Sequence, residues 1–143
     1  MTGNWVERRL ERQRLLHAQA PELWNQIRAA IQDACESFNG LYAADADHKV
    51  FCELENGHRL RIHRTLPPAA SFEQPKHLEA LVHFHKADHT VSITFESGAH
   101  TFYIDADHES AVFIGADRTP DASKLTPDQV SQRVLEAILF PKP

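Results

Sequence analysis

The sequence has 143 residues, of which 42% are hydrophobic and 24% are charged, a mixture typical of a globular domain. This length suits one domain with its own core, so we expect residues 1–143 to form a single domain. No apolar stretch approaches the roughly 20 residues of a transmembrane helix, and the first residues lack the apolar segment of a signal peptide. We therefore expect a cytoplasmic protein that does not enter a membrane.

The net charge of −5 is distributed unevenly along the chain. Its acidic excess lies entirely in residues 41–116, and the same segment contains nine of the ten histidines. An unperturbed histidine takes up a proton at a pH of about 6.5. We therefore expect this segment to respond to pH, and we look there for metal ligands.

The first 40 residues contain two helical patterns. Apolar residues at three- and four-residue spacing begin after Pro21 and stop at Asn39-Gly40, which predicts an amphipathic helix. Residues 4–18 form a weaker pattern with a thin apolar stripe. Its basic residues are Arg8, Arg9, Arg12 and Arg14. We expect residues 1–18 to form a helical arm that either docks partly on the domain or makes a homodimer.

From Val50 to Ile114 the hydrophobic period changes to two, which predicts six short strands. They lie near residues 48–54, 58–64, 79–86, 90–96, 100–105 and 110–115. A hairpin is expected at Asn56-Gly57, and a three-residue loop with Gly57 in the left-handed region gives the better arrangement of apolar residues. The same loop places Glu53 opposite or diagonal to Arg59 and Arg61. Residues 65–78 contain three prolines and are predicted to be a loop.

The segment Thr126-Pro127-Asp128-Gln129 combines an N-cap, a first-turn proline and a capping-box partner, which predicts a helix to about Phe140. The predicted fold class is therefore α+β. It consists of N-terminal helices, an antiparallel sheet of about six strands in meander order and a C-terminal helix. The C-terminal helix and the second helix are expected to pack together on one sheet face, which leaves the other face open.

Strand alternation assigns the side chains of the sheet to two faces. Pairing Val82 with Ile93 and Ile104 predicts a buried face that also contains Phe84, Val91, Phe95, Phe102, Val112 and Ile114. Two rows are predicted on the opposite face: Leu81, Thr94, Tyr103 and Phe113, and then His83, Ser92, Asp105 and Ala111. The order of His83, Ser92 and Asp105 is wrong for a catalytic triad. We therefore favour a non-catalytic module over an enzyme, with this face binding a protein partner or small ligand. The predicted binding residues are Leu81, His83, Tyr103, Asp105 and Phe113.

An alternative hypothesis is a divalent-metal-binding protein or metal-dependent enzyme. The tripeptide Ala-Asp-His occurs three times, at residues 46–48, 87–89 and 106–108, and carboxylate and imidazole both bind transition metals. A histidine pair with one residue between also points both rings to one side of a strand. The candidate ligands are His83, His85, His89, Asp107 and His108. Ordinary turns and solvated histidines are the simpler interpretation, and we expect no other cofactor.

Other functional classes find less support in the sequence. It lacks the glycine-rich motifs of nucleotide enzymes, and the net charge of −5 disfavours nucleic-acid binding despite two arginine clusters. Cys35 and Cys52 do not have the spacing of a CxxC motif, so free core thiols are favoured over a disulfide or a redox centre.

Overall fold

The computed structural model describes residues 3–42, 48–68, 70, 72–106, 112–115 and 124–141. Within these ranges the chain forms two helices and one antiparallel sheet of seven strands. The helices are α1 (Trp5–Tyr42) and α2 (Pro127–Leu139). The strands are β1 (Phe51–Glu55), β2 (Arg59–Leu66), β3 (Lys76–His85), β4 (Thr90–Phe95), β5 (Gly98–Ala106), β6 (Val112–Gly115) and β7 (Lys124–Leu125). Each strand pairs with the next, so the predicted α+β meander is confirmed, with the short strand β7 added.

The N-terminal part of the chain is one helix of 38 residues, in which Pro21 is an internal residue. The expected division into an arm and a second helix is therefore wrong. A proline inside a helix costs about 3 kcal/mol, because it removes one backbone hydrogen bond and crowds the preceding turn. Leu16, Ala20 and Leu23 are buried on both sides of the proline, and burial of this stripe offsets that cost.

Both helices cover the same face of the sheet, where their apolar residues form the core with the inward residues of the strands. The most deeply buried large side chains include Trp24, Ile27 and Ile31 from α1, Ile138 from α2, and Leu60, Ile62, Phe84, Phe102 and Ile114 from the sheet. The predicted buried face is confirmed for the side chains that the structure describes, although Phe95 is only partly buried.

The β1–β2 hairpin has the predicted three-residue loop. Glu55 pairs with Arg59, and Gly57 has a φ of 77°, in the left-handed region that glycine adopts without steric cost. Glu53 lies directly opposite Arg61, as predicted, but the ion pair of Arg61 is with Glu79, and Glu53 lies 3.6 Å from His63.

The β4–β5 register differs from the prediction by four residues. A two-residue turn joins Phe95 to its partner Gly98, so Ile93 pairs with His100 instead of Ile104. The predicted rows change accordingly: Ala99 lies opposite Thr94, Thr101 lies opposite Ser92, and Tyr103 lies opposite Thr90. An even shift keeps every side chain on its predicted face, which is why the core prediction was unaffected.

The loop predicted at residues 65–78 is shorter in the structure, because β2 extends to Leu66 and β3 begins at Lys76. The two strands pair over the whole of these extensions, from Leu66 opposite Lys76 to Arg59 opposite His83. The strand order around this connection, which the sequence left open, is the simple meander.

Two polar contacts fix the position of α1 along the sheet. In the middle of the helix, Trp24 donates from Nε1 to the carbonyl of Gly57 at 2.9 Å, and its ring stacks on Phe84 with centroids 5.8 Å apart. Near the end of the helix, the side-chain amide of Asn39 exchanges two hydrogen bonds with the backbone of Val50, both at 2.9 Å. The helix is thus fastened to the hairpin, to β3 and to the start of β1.

The predicted capping box of α2 is present, with reciprocal hydrogen bonds between Thr126 and Gln129. At the other end of α2, the buried Arg64 of β2 donates to the carbonyls of Ile138 and Leu139, both at 3.0 Å. Its guanidinium also lies 4.8 Å from the centre of the Phe38 ring. This one side chain therefore joins the sheet to both helices.

We expect Trp24→Ala to lower the free energy of unfolding by about 3–5 kcal/mol, the usual range for removing a buried aromatic ring. Trp24→Phe keeps a ring against Phe84 but leaves the Gly57 carbonyl without its donor, so a smaller loss of about 1–2 kcal/mol is expected. The control is Trp5→Ala, because Trp5 is 66% exposed. Urea unfolding followed by circular dichroism measures all three. Similar losses for Trp5→Ala and Trp24→Ala would contradict this anchoring role.

Candidate functional site

In the first turns of α1, cationic residues lie on one face of the helix. In later turns, the same face packs against the sheet. Residues 5, 8, 9, 12, 13, 16 and 17 recur at the three- and four-residue spacing of one helix face, and all of them line one cleft. Leu16 then continues this stripe to Ala20 and Leu23 in the core. The inward face of the helix therefore changes from apolar to arginine-rich at its N-terminal end.

The cleft has a volume of about 1010 Å³ and lies between this helix face and one end of the sheet. Its lining from α1 is Trp5, Arg8, Arg9, Arg12, Gln13, Leu16 and His17. Its lining from the sheet is Ala87, Asp88 and His89 of the β3–β4 turn and Tyr103, Ile104 and Asp105 of β5. Aromatic, cationic and carboxylate groups are thus brought together in one concave region.

The β3–β4 turn is held in place by backbone contacts. Asp88 N donates to the carbonyl of His85 at 3.2 Å, and the carbonyl of His89 accepts from Ile104 N at 2.9 Å. His89 itself has a φ of 54°, an uncommon conformation for a residue other than glycine. The turn thereby presents Asp88 and His89 to the cleft.

Burial lowers the pKa of His89 below its ordinary value, and the nearby His17 adds to this effect against the opposing charge of Asp88. A neutral imidazole carries one donor and one acceptor nitrogen. His89 therefore supplies the cleft with an uncharged hydrogen-bonding group near neutral pH.

An ion pair between Arg12 and Asp105 connects the helix to β5 at the edge of the cleft. The two side chains are 52% and 38% exposed, so the pair positions the groups more than it stabilises the fold. Within the described residues, no ion pair engages Arg8 or Arg9. These two guanidinium groups are the cations that the cleft leaves available.

The five predicted binding residues do not form one site. Tyr103 and Asp105 line the cleft. Leu81 and His83 lie farther along the open sheet face, where Leu81 pairs with Thr94 and His83 with Ser92. Phe113 pairs with Asp105 instead of with Tyr103 as predicted, because the β5–β6 register differs from the prediction by two residues. Its side chain lies outside the described part of the structure.

Contacts within the sheet engage the polar groups of the open face. Arg61 donates to Glu79 at 2.5 Å, and this contact lowers the pKa of Glu79 below its usual range. The rings of His83 and His85 are 4.2 Å apart between centroids, and His85 Nε2 lies 2.8 Å from Ser92 Oγ. These polar side chains of the open face therefore contact one another.

The candidate metal ligands are divided in the structure. His83 and His85 are neighbours on the open face, whereas His89 lines the cleft. Asp107 and His108 lie outside the described residues. In the parts of the chain that the structure describes, no group of three or more His, Cys, Asp or Glu side chains is arranged to hold a metal ion.

The sequence predicts a helical arm over residues 1–18 and does not by itself place the arginines of that arm in a site. The helical periodicity of the sequence is the signal that identifies these arginines. Trp5, Arg8 and Arg12 repeat in step with Leu16, Ala20 and Leu23, so they occupy the inward side of the same helix. That inference requires the helix to continue through Pro21.

Known proteins supply no further information on the site. Comparisons with protein-family models, with curated proteins and with solved structures find no match. Among the described helices, none is both long and apolar enough to span a membrane.

The open face has a testable pH response at His83. Burial lowers its pKa, and the charges of His85, Arg59 and His58 act in the same direction. As the pH falls below the ordinary value of 6.5, the unfolded chain binds a proton that folded His83 does not. The free energy of unfolding therefore decreases with falling pH until the lowered pKa is reached.

We expect His83→Gln to lose less stability than the wild-type protein between about pH 7 and pH 5, because glutamine removes this proton uptake. Thermal unfolding at several pH values measures the difference. Thr101→Ser, a change on the same row without an ionisable group, should keep the full wild-type dependence. If the His83→Gln and wild-type curves were parallel, burial of His83 would not contribute to the pH response.

Proposed function

We propose that the protein is a non-catalytic binding module that holds an anionic small molecule with an aromatic portion in the α1 cleft. The observation that carries this proposal is the unpacked inward face of α1, where Arg8, Arg9 and Arg12 take positions that are apolar farther along the helix. Arginines at these inward positions of α1 do not contribute apolar side chains to the core. Departures of this kind from the folding pattern are expected mainly at functional sites.

The chemistry of the lining supports this class of ligand. Guanidinium groups bind carboxylate, sulfonate or phosphate groups through paired hydrogen bonds. Trp5 and Tyr103 offer aromatic surfaces for a planar group, and His89 adds a neutral donor or acceptor. The volume of about 1010 Å³ is at the upper end of the range for small-molecule sites.

Binding without turnover is the simpler function for these groups. The described lining of the cleft includes no serine, threonine or cysteine that could act as a nucleophile. A cytoplasmic location, a protein partner and a homodimer through α1 remain predictions from the sequence.

The test uses 8-anilinonaphthalene-1-sulfonate, an anionic aromatic probe whose fluorescence rises on binding. We expect Arg8→Ala/Arg9→Ala to weaken its binding at least tenfold, because charged hydrogen bonds contribute about 1.5–3 kcal/mol each. The matched control is Arg14→Ala/Arg28→Ala, which removes the same charge from α1 at positions outside the cleft. This control should bind the probe within twofold of wild type.

Two outcomes would contradict the proposal. Equal affinity of the wild-type protein and the Arg8/Arg9 variant would show that the probe does not use the cleft. Equal weakening in the control would show that overall charge, and not the site, attracts the probe. The uncharged analogue N-phenyl-1-naphthylamine should bind the wild-type protein more weakly than the sulfonate, and equal binding would remove the anion from the proposed ligand class.

A further inference from the structure

Two cysteines meet where the C-terminal half of α1 packs on the edge strand β1. Cys35 is only 3% exposed and belongs to the core, while Cys52 is half-buried and packs against it. Each thiol shifts the pKa of the other, which indicates that the two side chains lie close together. The pair brings together two thiols that are 17 positions apart in the sequence.

The hydrogen bonds between α1 and the start of β1 set the position of Cys35 relative to Cys52. Asn39 lies one helical turn after Cys35, and its amide makes both hydrogen bonds to Val50 at 2.9 Å. Val50 lies two residues before Cys52. The four helix residues from Cys35 to Asn39 advance about 6 Å, and two strand residues advance about 6.6 Å, so the hydrogen bonds between Asn39 and Val50 bring Cys35 and Cys52 to the same level.

We propose that Cys35 and Cys52 form a dithiol oxidation site, which a hydroperoxide converts into an intramolecular disulfide between α1 and β1. The Cys52 thiolate attacks the hydroxyl oxygen of the peroxide and the O–O bond breaks, so that Cys52 becomes a sulfenic acid. The departing oxygen takes up the proton that the Cys52 thiol released and leaves as water or an alcohol. The sulfur of Cys35 then attacks the Cys52 sulfur, the S–O bond breaks, and the hydroxyl group leaves as water with the Cys35 proton. The two thiols supply the two electrons that reduce the peroxide.

The environment assigns the first step to Cys52. It lies on the edge strand and is the more accessible of the two. The neighbouring Cys35 lowers the pKa of Cys52, against the opposing effects of burial and of Glu53. Cys52 and burial raise the pKa of Cys35, so Cys35 keeps its proton and later resolves the sulfenic acid.

The experiment treats the reduced 143-residue chain with a few equivalents of hydrogen peroxide, blocks remaining thiols with N-ethylmaleimide and records intact mass. We expect a monomer that has lost two hydrogen atoms and carries no maleimide, with a peptide map that links Cys35 to Cys52. Oxidation should also raise the melting temperature by several degrees, because the cross-link restricts the unfolded chain, and dithiothreitol should reverse the change.

Two variants separate the roles of the cysteines. Cys35→Ala should accumulate a sulfenic acid at Cys52 that dimedone traps, whereas Cys52→Ser should react with peroxide at least tenfold more slowly than wild type. The peptide map of the wild-type protein does not depend on the folding of either variant. A disulfide-linked dimer, sulfinic acid without a disulfide, or full maleimide labelling after peroxide would each overturn the proposal.

Discussion

The placement of one long helix on the sheet determines both regions for which we propose a function. Trp24 fixes the middle of α1 through its hydrogen bond to Gly57 and its stacking on Phe84, and Asn39 fixes the end through Val50. Because a helix is nearly rigid along its length, these two contacts also set where its other turns lie. The cleft at the N-terminal end and the cysteine pair near the C-terminal end both depend on this placement.

One stripe of the helix contains three kinds of side chain in succession along its length. It is arginine-rich from Arg8 to Arg12, apolar from Leu16 to Ile31, and contributes a thiol at Cys35. All of these residues point to the sheet side because they share one helical phase. A break at Pro21 would separate the arginines from the part of the helix that Trp24 and Asn39 hold on the sheet. Continuity of the helix is thus the condition for the cleft.

Local signals predicted most of the fold. Asn56-Gly57 and the capping sequence at Thr126 each determine structure through their nearest neighbours, and both predictions were confirmed. The β4–β5 register could not be predicted, because strand alternation determines the face of a residue but not its row. The choice between a two-residue and a longer turn shifted Tyr103 away from Leu81. The expected site was consequently divided between the open face and the cleft.

The contrast between the two polar regions explains why the cleft is the better candidate. On the open face, Arg61 is paired with Glu79, Arg59 lies 3.7 Å from Glu55, and His85 contacts Ser92. A ligand there would have to displace contacts that the sheet already makes, and only the difference would contribute to affinity. In the cleft, Arg12 is the arginine with an ion-pair partner among the described residues. The other two can meet an incoming anion without first losing an ion pair, and that favours binding at the end of the sheet over its centre.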